Sequence, residues 1–289
     1  MFEVLFLDKR DAESFYIHTQ LLLNSFVKNN RQIIDNQAYD VVTVSIFDEA
    51  MLKKLSEAFY LFILNFKLDH WLTKKIREEF YFEDEMEIEQ ITDIAFEILE
   101  GKREELQVFI EEPFSKEDLH YVVENMLRDS IRFSFDSFVQ FRMKKFFQQL
   151  DTYIELAIDE YKMEQEYQTF IEMLRTFLNN RTPLFPTIHI KIDEEIVILD
   201  NYMYEMNRLE LMRLIDKKLL LQHPIYIDSH SIAPLLSIAP KEIYLYSDDY
   251  NQNLIETIMN IFQERVHLRS IRDFHAQIRL VRQNFNEKI

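Results

Sequence analysis

The spacing of apolar residues changes character along the chain, and each change predicts a different kind of element. At the start, VLFL (4–7) is a short apolar run. From Asp11 to Lys28, Phe15, Leu22 and Phe26 recur near helical spacing, and DVVTVSIF (40–47) is rich in β-branched residues. The first 47 residues therefore predict strand, helix and buried strand. From 48 to about 180 the period is helical almost throughout. Asp48 precedes AMLKKLSEAFYLFILNF as a cap, and Asp69 opens a further helix through Trp71. Ile88, Ile91, Ile94, Ala95, Ile98 and Leu99 then repeat at steps of three and four and stop at Gly101. A glycine after the last periodic residue, followed by Lys102 and Arg103, predicts a left-handed helix end.

The next helix start is written in PFSKEDL. Ser115 is placed to cap free amides, Asp118 sits at the third helical position, and Phe114 and Leu119 occupy the two positions of a hydrophobic staple. Met143, Phe146, Leu150, Ile154 and Ile158, then Met163, Tyr167, Phe170, Leu174 and Phe177, carry the helical stripe onward. Such aromatic stripes predict helix–helix core.

Asn179 to Pro186 break the helical regime, with Pro183 and Pro186 inside the break. TIHIKI (187–192) then alternates strictly, with Ile188, Ile190 and Ile192 on one face and His189 on the opposite, polar face, where it is expected to be exposed. Asp193 to Glu195 predict a turn and IVIL (196–199) a returning strand. After a helix through Met206, Leu209 and Met212 come IYI (225–227), a short helix near Leu235, IYLY (243–246), a helix through Ile255, Ile258 and Phe262, and VHL (266–268). Strand and helix alternating in this way predict right-handed crossovers and a partly parallel sheet. The expected fold is α+β and mainly helical: an N-terminal β-α-β segment (1–47), a helical domain (48–182) and a C-terminal α/β domain (183–289).

Composition restricts the chemistry. The 289 residues include one glycine and no cysteine. Phosphate cradles, dinucleotide fingerprints and nucleophile elbows need several glycines, so none can be written here. Disulfides, thiolate metal sites and thiol nucleophiles are absent too. The start MFEVLFLDKR lacks the basic segment and long apolar run of a signal peptide. The longest apolar stretch, AFYLFILNF (58–66), falls well short of the roughly 20 residues a membrane helix needs. A soluble, cytoplasmic protein without a membrane span is expected.

Net charge is −18, which disfavours nucleic acid and anionic lipid as partners. The charge is uneven: residues 83–112 hold twelve acids against Lys102 and Arg103, and residues 265–289 hold six Arg or Lys against Asp273 and Glu287. A partner protein is expected, and no cofactor.

Two helical segments, FSFDSFVQFRMKKFFQQLDTYIELAIDEY (133–161) and EQEYQTFIEMLRTFL (164–178), together with IYLYSDDYNQNLIETIMNIFQERV (243–266), resemble the YtxC-like sporulation proteins of endospore-forming bacteria. That resemblance implies an association with sporulation and carries no biochemical activity with it.

Two sets of residues remain as candidate sites. Asp228 and His230 follow IYI, and Asp248 and Asp249 follow IYLY. Ligands of open α/β sheets sit beyond strand carboxyl ends, so these four define a candidate acid–imidazole site for a metal-dependent hydrolase. Helix capping by Ser231 and by Asp248 or Asp249 accounts for the same residues without chemistry. The second set is Arg142, Lys144 and Lys145, set among Phe138, Phe141 and Phe146. An enclosed cation there needs a partner, for which Glu155, Asp159, Glu164 and Glu166 are candidates. The alternative is a site for an anion or a partner protein. Glu117 and His120 form a lone Glu-x-x-His, too little for a di-iron bundle, and no metal site is expected.

Overall fold

The computed structural model describes residues 2–24, 34–38, 41–44, 48–129, 132–216, 231–250 and 252–286. The fold is α+β and mainly helical, and the chain divides into two compact units, 1–164 and 165–289.

In the first unit, β1 (Phe2–Leu5) leads into α1 (Lys9–Asn24), then β2 (Ile34–Ala38) and β3 (Val41–Val44). The sheet order is β2-β3-β1-β4. β1 runs antiparallel to β3 and parallel to β4 (Arg132–Ser134). Two of these strands depart from the apolar pattern: β2 is the polar IDNQA, and β4 is three residues inside a stretch of helical period.

Asp48 caps α2 (Glu49–Phe62) by accepting from the Met51 amide at 2.8 Å. The helix does not restart at Asp69. It continues through a π-helical turn, Ile63–Lys67, into α3 (Leu68–Glu78). No glycine or proline interrupts this stretch. Lys67 is buried, with its Nζ 2.6 Å from Asp11.

α4 (Glu85–Leu99) ends as its sequence predicts. Gly101 has φ +75°, its amide reaches the Ile98 carbonyl, and the Lys102 amide reaches that of Glu97 at 2.9 Å. These two bonds make a complete Schellman motif. After it, Arg103 lies within 2.9 Å of Glu97, Glu160 and Glu164. Ser115 accepts from the Asp118 amide at the start of α5 (Lys116–Asp129), and Leu119 is buried beside Phe114. α6 (Phe135–Arg142) and α7 (Lys144–Asn179) follow. The core between sheet and helices is aromatic. Phe59 is fully buried, and the rings of Phe15, Phe133, Phe135 and Phe138 lie 5.0 to 5.9 Å from it.

In the second unit, β5 (Thr187–Ile192) and β6 (Ile196–Leu199) form the expected hairpin, pairing His189 with Leu199 and Ile192 with Ile196. α8 (Arg208–Leu214) begins with a capping box between Asn207 and Glu210. Then come α9 (Ile232–Ile238), β7 (Glu242–Tyr246), α10 (Asn253–Phe262), β8 (Val266–Arg269) and α11 (Ile271–Asn286). The sheet order is β6-β5-β7-β8, with β5, β7 and β8 mutually parallel. The run 225–227 lies outside the described residues.

The inner face of this sheet, Ile188, Ile190, Ile192, Ile243 and Leu245, packs on apolar residues of α7, α9 and α10. The outer face carries Leu199 and Tyr246, which pack against Phe274 of α11. Among the described residues, four other than glycine have positive φ: Tyr81, Met203, Ala239 and Gln263.

Candidate functional site

Strict alternation along β5, β7 and β8 sends their polar and aromatic side chains to the outer face of the second sheet. Register then sets His189 opposite Tyr244, Tyr244 opposite His267, and Tyr246 opposite Arg269. The His189 ring stacks on Tyr244 at 5.3 Å and on Tyr246 at 5.9 Å, with 19° between planes in both pairs. His189 is therefore not exposed, contrary to the expectation from alternation. It keeps only 6% of its surface, because two tyrosines of β7 cover a face that one strand alone would leave open.

Tyr246 Oη lies 3.0 Å from His189 Nδ1. Burial pushes the Tyr246 hydroxyl up to about 12, so it keeps its proton and can donate to Nδ1 or accept from it. The other ring nitrogen, Nε2, has no hydrogen-bond partner among the described residues. Burial also lowers the His189 pKa, with Asp200 opposing the shift, so the ring is neutral at pH 7. Beside this pair opens a pocket of about 520 Å³. Arg269 stands on its wall, exposed, and forms no ion pair among the described residues.

The strand-end acids are placed differently from one another. Asp228 and His230 lie outside the described residues. Asp248 Oδ1 accepts from the Ile271 amide at 3.1 Å, so it caps α11 and not the helix that follows it in sequence. Asp249 closes a turn with Ser247 through its backbone amide and carbonyl. Ser231 precedes α9 without a side-chain cap bond to that helix. Among the described residues, no group of three or more His, Asp or Glu is placed to hold a metal ion.

Arg142, Lys144 and Lys145 gather where α6 gives way to α7. All three are exposed, as is Phe141 at 73%. Exposure removes the desolvation cost that would have required Arg142 to be paired. Glu164 instead serves Arg103, and neither Arg142 nor Lys144 has an ion-pair partner among the described residues. Lys145 lies 3.2 Å from Glu112. A small cavity of about 60 Å³ lies beneath the patch, between Phe114, Arg142 and Phe146. No helix among the described residues is long and apolar enough to cross a membrane.

The architecture is that of an α+β protein with a small mixed sheet in each compact unit. The YtxC-like family model matches residues 53–267, and the chain belongs to that family. It is 34% identical over 282 residues to "Uncharacterized protein YtxC" of Bacillus subtilis (strain 168), a match covering 95% of this chain and 96% of the relative. No solved structure matches the chain.

Proposed function

We propose that the protein is a non-enzymatic interaction or scaffold protein of the spore-formation programme, working in the cytoplasm through the cationic patch at Arg142, Lys144 and Lys145. The observation that carries this reading is the patch itself. In a chain of net charge −18, Arg142 and Lys144 stand exposed and without ion pairs among the described residues, beside the exposed ring of Phe141. An aromatic side chain flanked by free cations suits an acidic, partly apolar segment of a partner protein. The link to sporulation rests on the resemblance of the segments 133–161, 164–178 and 243–266.

The test compares affinity capture from sporulating cells with wild-type protein and with Arg142→Glu/Lys144→Glu. The reading expects a co-purifying protein that the double variant loses, together with a lower spore yield. An unchanged set of captured proteins overturns it. Thermal stabilisation by a divalent cation, abolished by Asp248→Ala, would instead favour the metal-dependent hydrolase.

A further inference from the structure

The pocket over the outer face of the second sheet has the composition of a built site. Its volume, about 520 Å³, falls within the roughly 300–1,000 Å³ of small-molecule sites. Two polar side chains line it while almost wholly buried, His189 at 6% and Tyr246 at 3% exposure. Their mutual hydrogen bond fixes the imidazole and leaves its Nε2 with no partner among the described residues. The ring lines the pocket, where a ligand oxygen can take the place of water at that nitrogen.

The seat for an anion is Arg269, the cation on the walls, which acts against Asp273 there and against Asp200 beside His189. Arg269 forms no ion pair among the described residues. Asp273, the acid on the wall, has Oδ2 bonded to the amide and hydroxyl of Ser270 at 3.1 and 2.8 Å. It also sits in the first turn of α11, where the helix dipole compensates a negative charge. Thr187 and Asn201 add a hydroxyl and an amide, groups that both donate and accept. His189 and Arg269 stand on β5 and β8, two strand spacings apart, or about 10 Å. The pocket's volume is far larger than that of a bare ion and admits a chain of five or six hydroxylated carbons.

We propose that this pocket binds a small hydroxylated organic anion, with its carboxylate or phosphate on Arg269 and its hydroxyl oxygens on His189 Nε2, Asn201 and Thr187. The site is separate from the Arg142 patch and does not depend on the function proposed for it.

Calorimetric titration of the full-length protein with glucose 6-phosphate, gluconate, glucose and inorganic phosphate tests the assignment. Saturable binding of glucose 6-phosphate or gluconate is expected, and which of the two binds separates phosphate from carboxylate. Arg269→Gln should weaken that binding about tenfold or more, as loss of a charge-assisted contact does. In wild-type protein carrying ¹⁵N-labelled histidine, the His189 Nε2 resonance should move on saturation. The proposal is overturned if neither anionic sugar binds, if glucose binds as well as its phosphate, or if only inorganic phosphate binds. It is equally overturned if Arg269→Gln leaves affinity intact, or if Arg142→Gln abolishes it, which would place the binding at the other patch.

Discussion

Asp248 accepts a hydrogen bond from the backbone amide of Ile271, 23 residues further along the chain. The carboxylate thus meets the positive end of α11, and the acid beyond β7 holds down the helix that covers the sheet's outer face. Asp248→Ala should lower stability by about 0.5–1 kcal/mol, the usual worth of a charge at a helix N-terminus. Asp248→Asn, which keeps an acceptor, should retain most of it. Chemical denaturation of the three proteins checks this. Equal damage from both variants would mean that the carboxylate does more than cap.

The Schellman turn after α4 makes a second prediction. A Cβ at Gly101 would meet nothing within 4 Å, so only the backbone resists substitution there. Gly101→Ala should cost about 1–2 kcal/mol for a left-handed residue with a side chain. Gly101→Asn should cost less, because asparagine tolerates that region. Trp71, the one tryptophan, lies in the same compact unit, and its fluorescence follows the unfolding.

Phe59→Ala should be among the most damaging single changes. The ring is fully buried, with four phenylalanines around it. Truncating it should cost about 3–5 kcal/mol, part transfer and part cavity. Phe59→Leu should recover a substantial share. Trp71 fluorescence under denaturant reads both variants.

His189 gives the protein an acid-sensitive component. Its folded pKa lies below 6.5, so between the two values the unfolded chain takes up a proton that the native state refuses. This contribution to stability is complete above pH 6.5 and is lost as pH falls below it, down to the folded pKa. Asp200 opposes the shift, and Lys191, Glu242, Arg269 and Asp273 are further charged groups on this face or its wall. His18 in the first unit is lowered by burial as well and adds a component of the same sign. The His189 ring protons should titrate below 6.5 by NMR. His189→Gln should flatten part of the loss of stability between pH 6.5 and 5. A His189 midpoint at or above 6.5 would contradict the account.

What could be read from the residues was what depends on near neighbours. Asp48, Ser115 and Gly101 act within four residues of themselves, and each does what its position predicts. The β5–β6 hairpin is equally local, with period two on either side of a polar turn. Three features that escaped involve distant partners. β4 is three residues long and exists because β1, some 130 residues earlier, pairs with it. His189 looks solvent-facing on its own strand, and its burial comes from the tyrosines of β7, some 55 residues further along the chain. Asp248 was legible as a cap, but the helix it caps is set by the sheet order and not by adjacency. The pocket's donors, on β5 and β8, come together through the same long-range pairing.

Ala239 and Gln263 end α9 and α10 in backbone conformations that glycine adopts freely, with φ of 50° and 48°. Each stores about 1 kcal/mol or more that a glycine would release. The same avoidance of glycine acts on the unfolded chain, in the opposite direction. With a side chain on all but one of its 289 residues, that ensemble has fewer backbone states to surrender on folding. The protein thus tolerates bent, crowded helix ends in its native form partly because its denatured form is stiff.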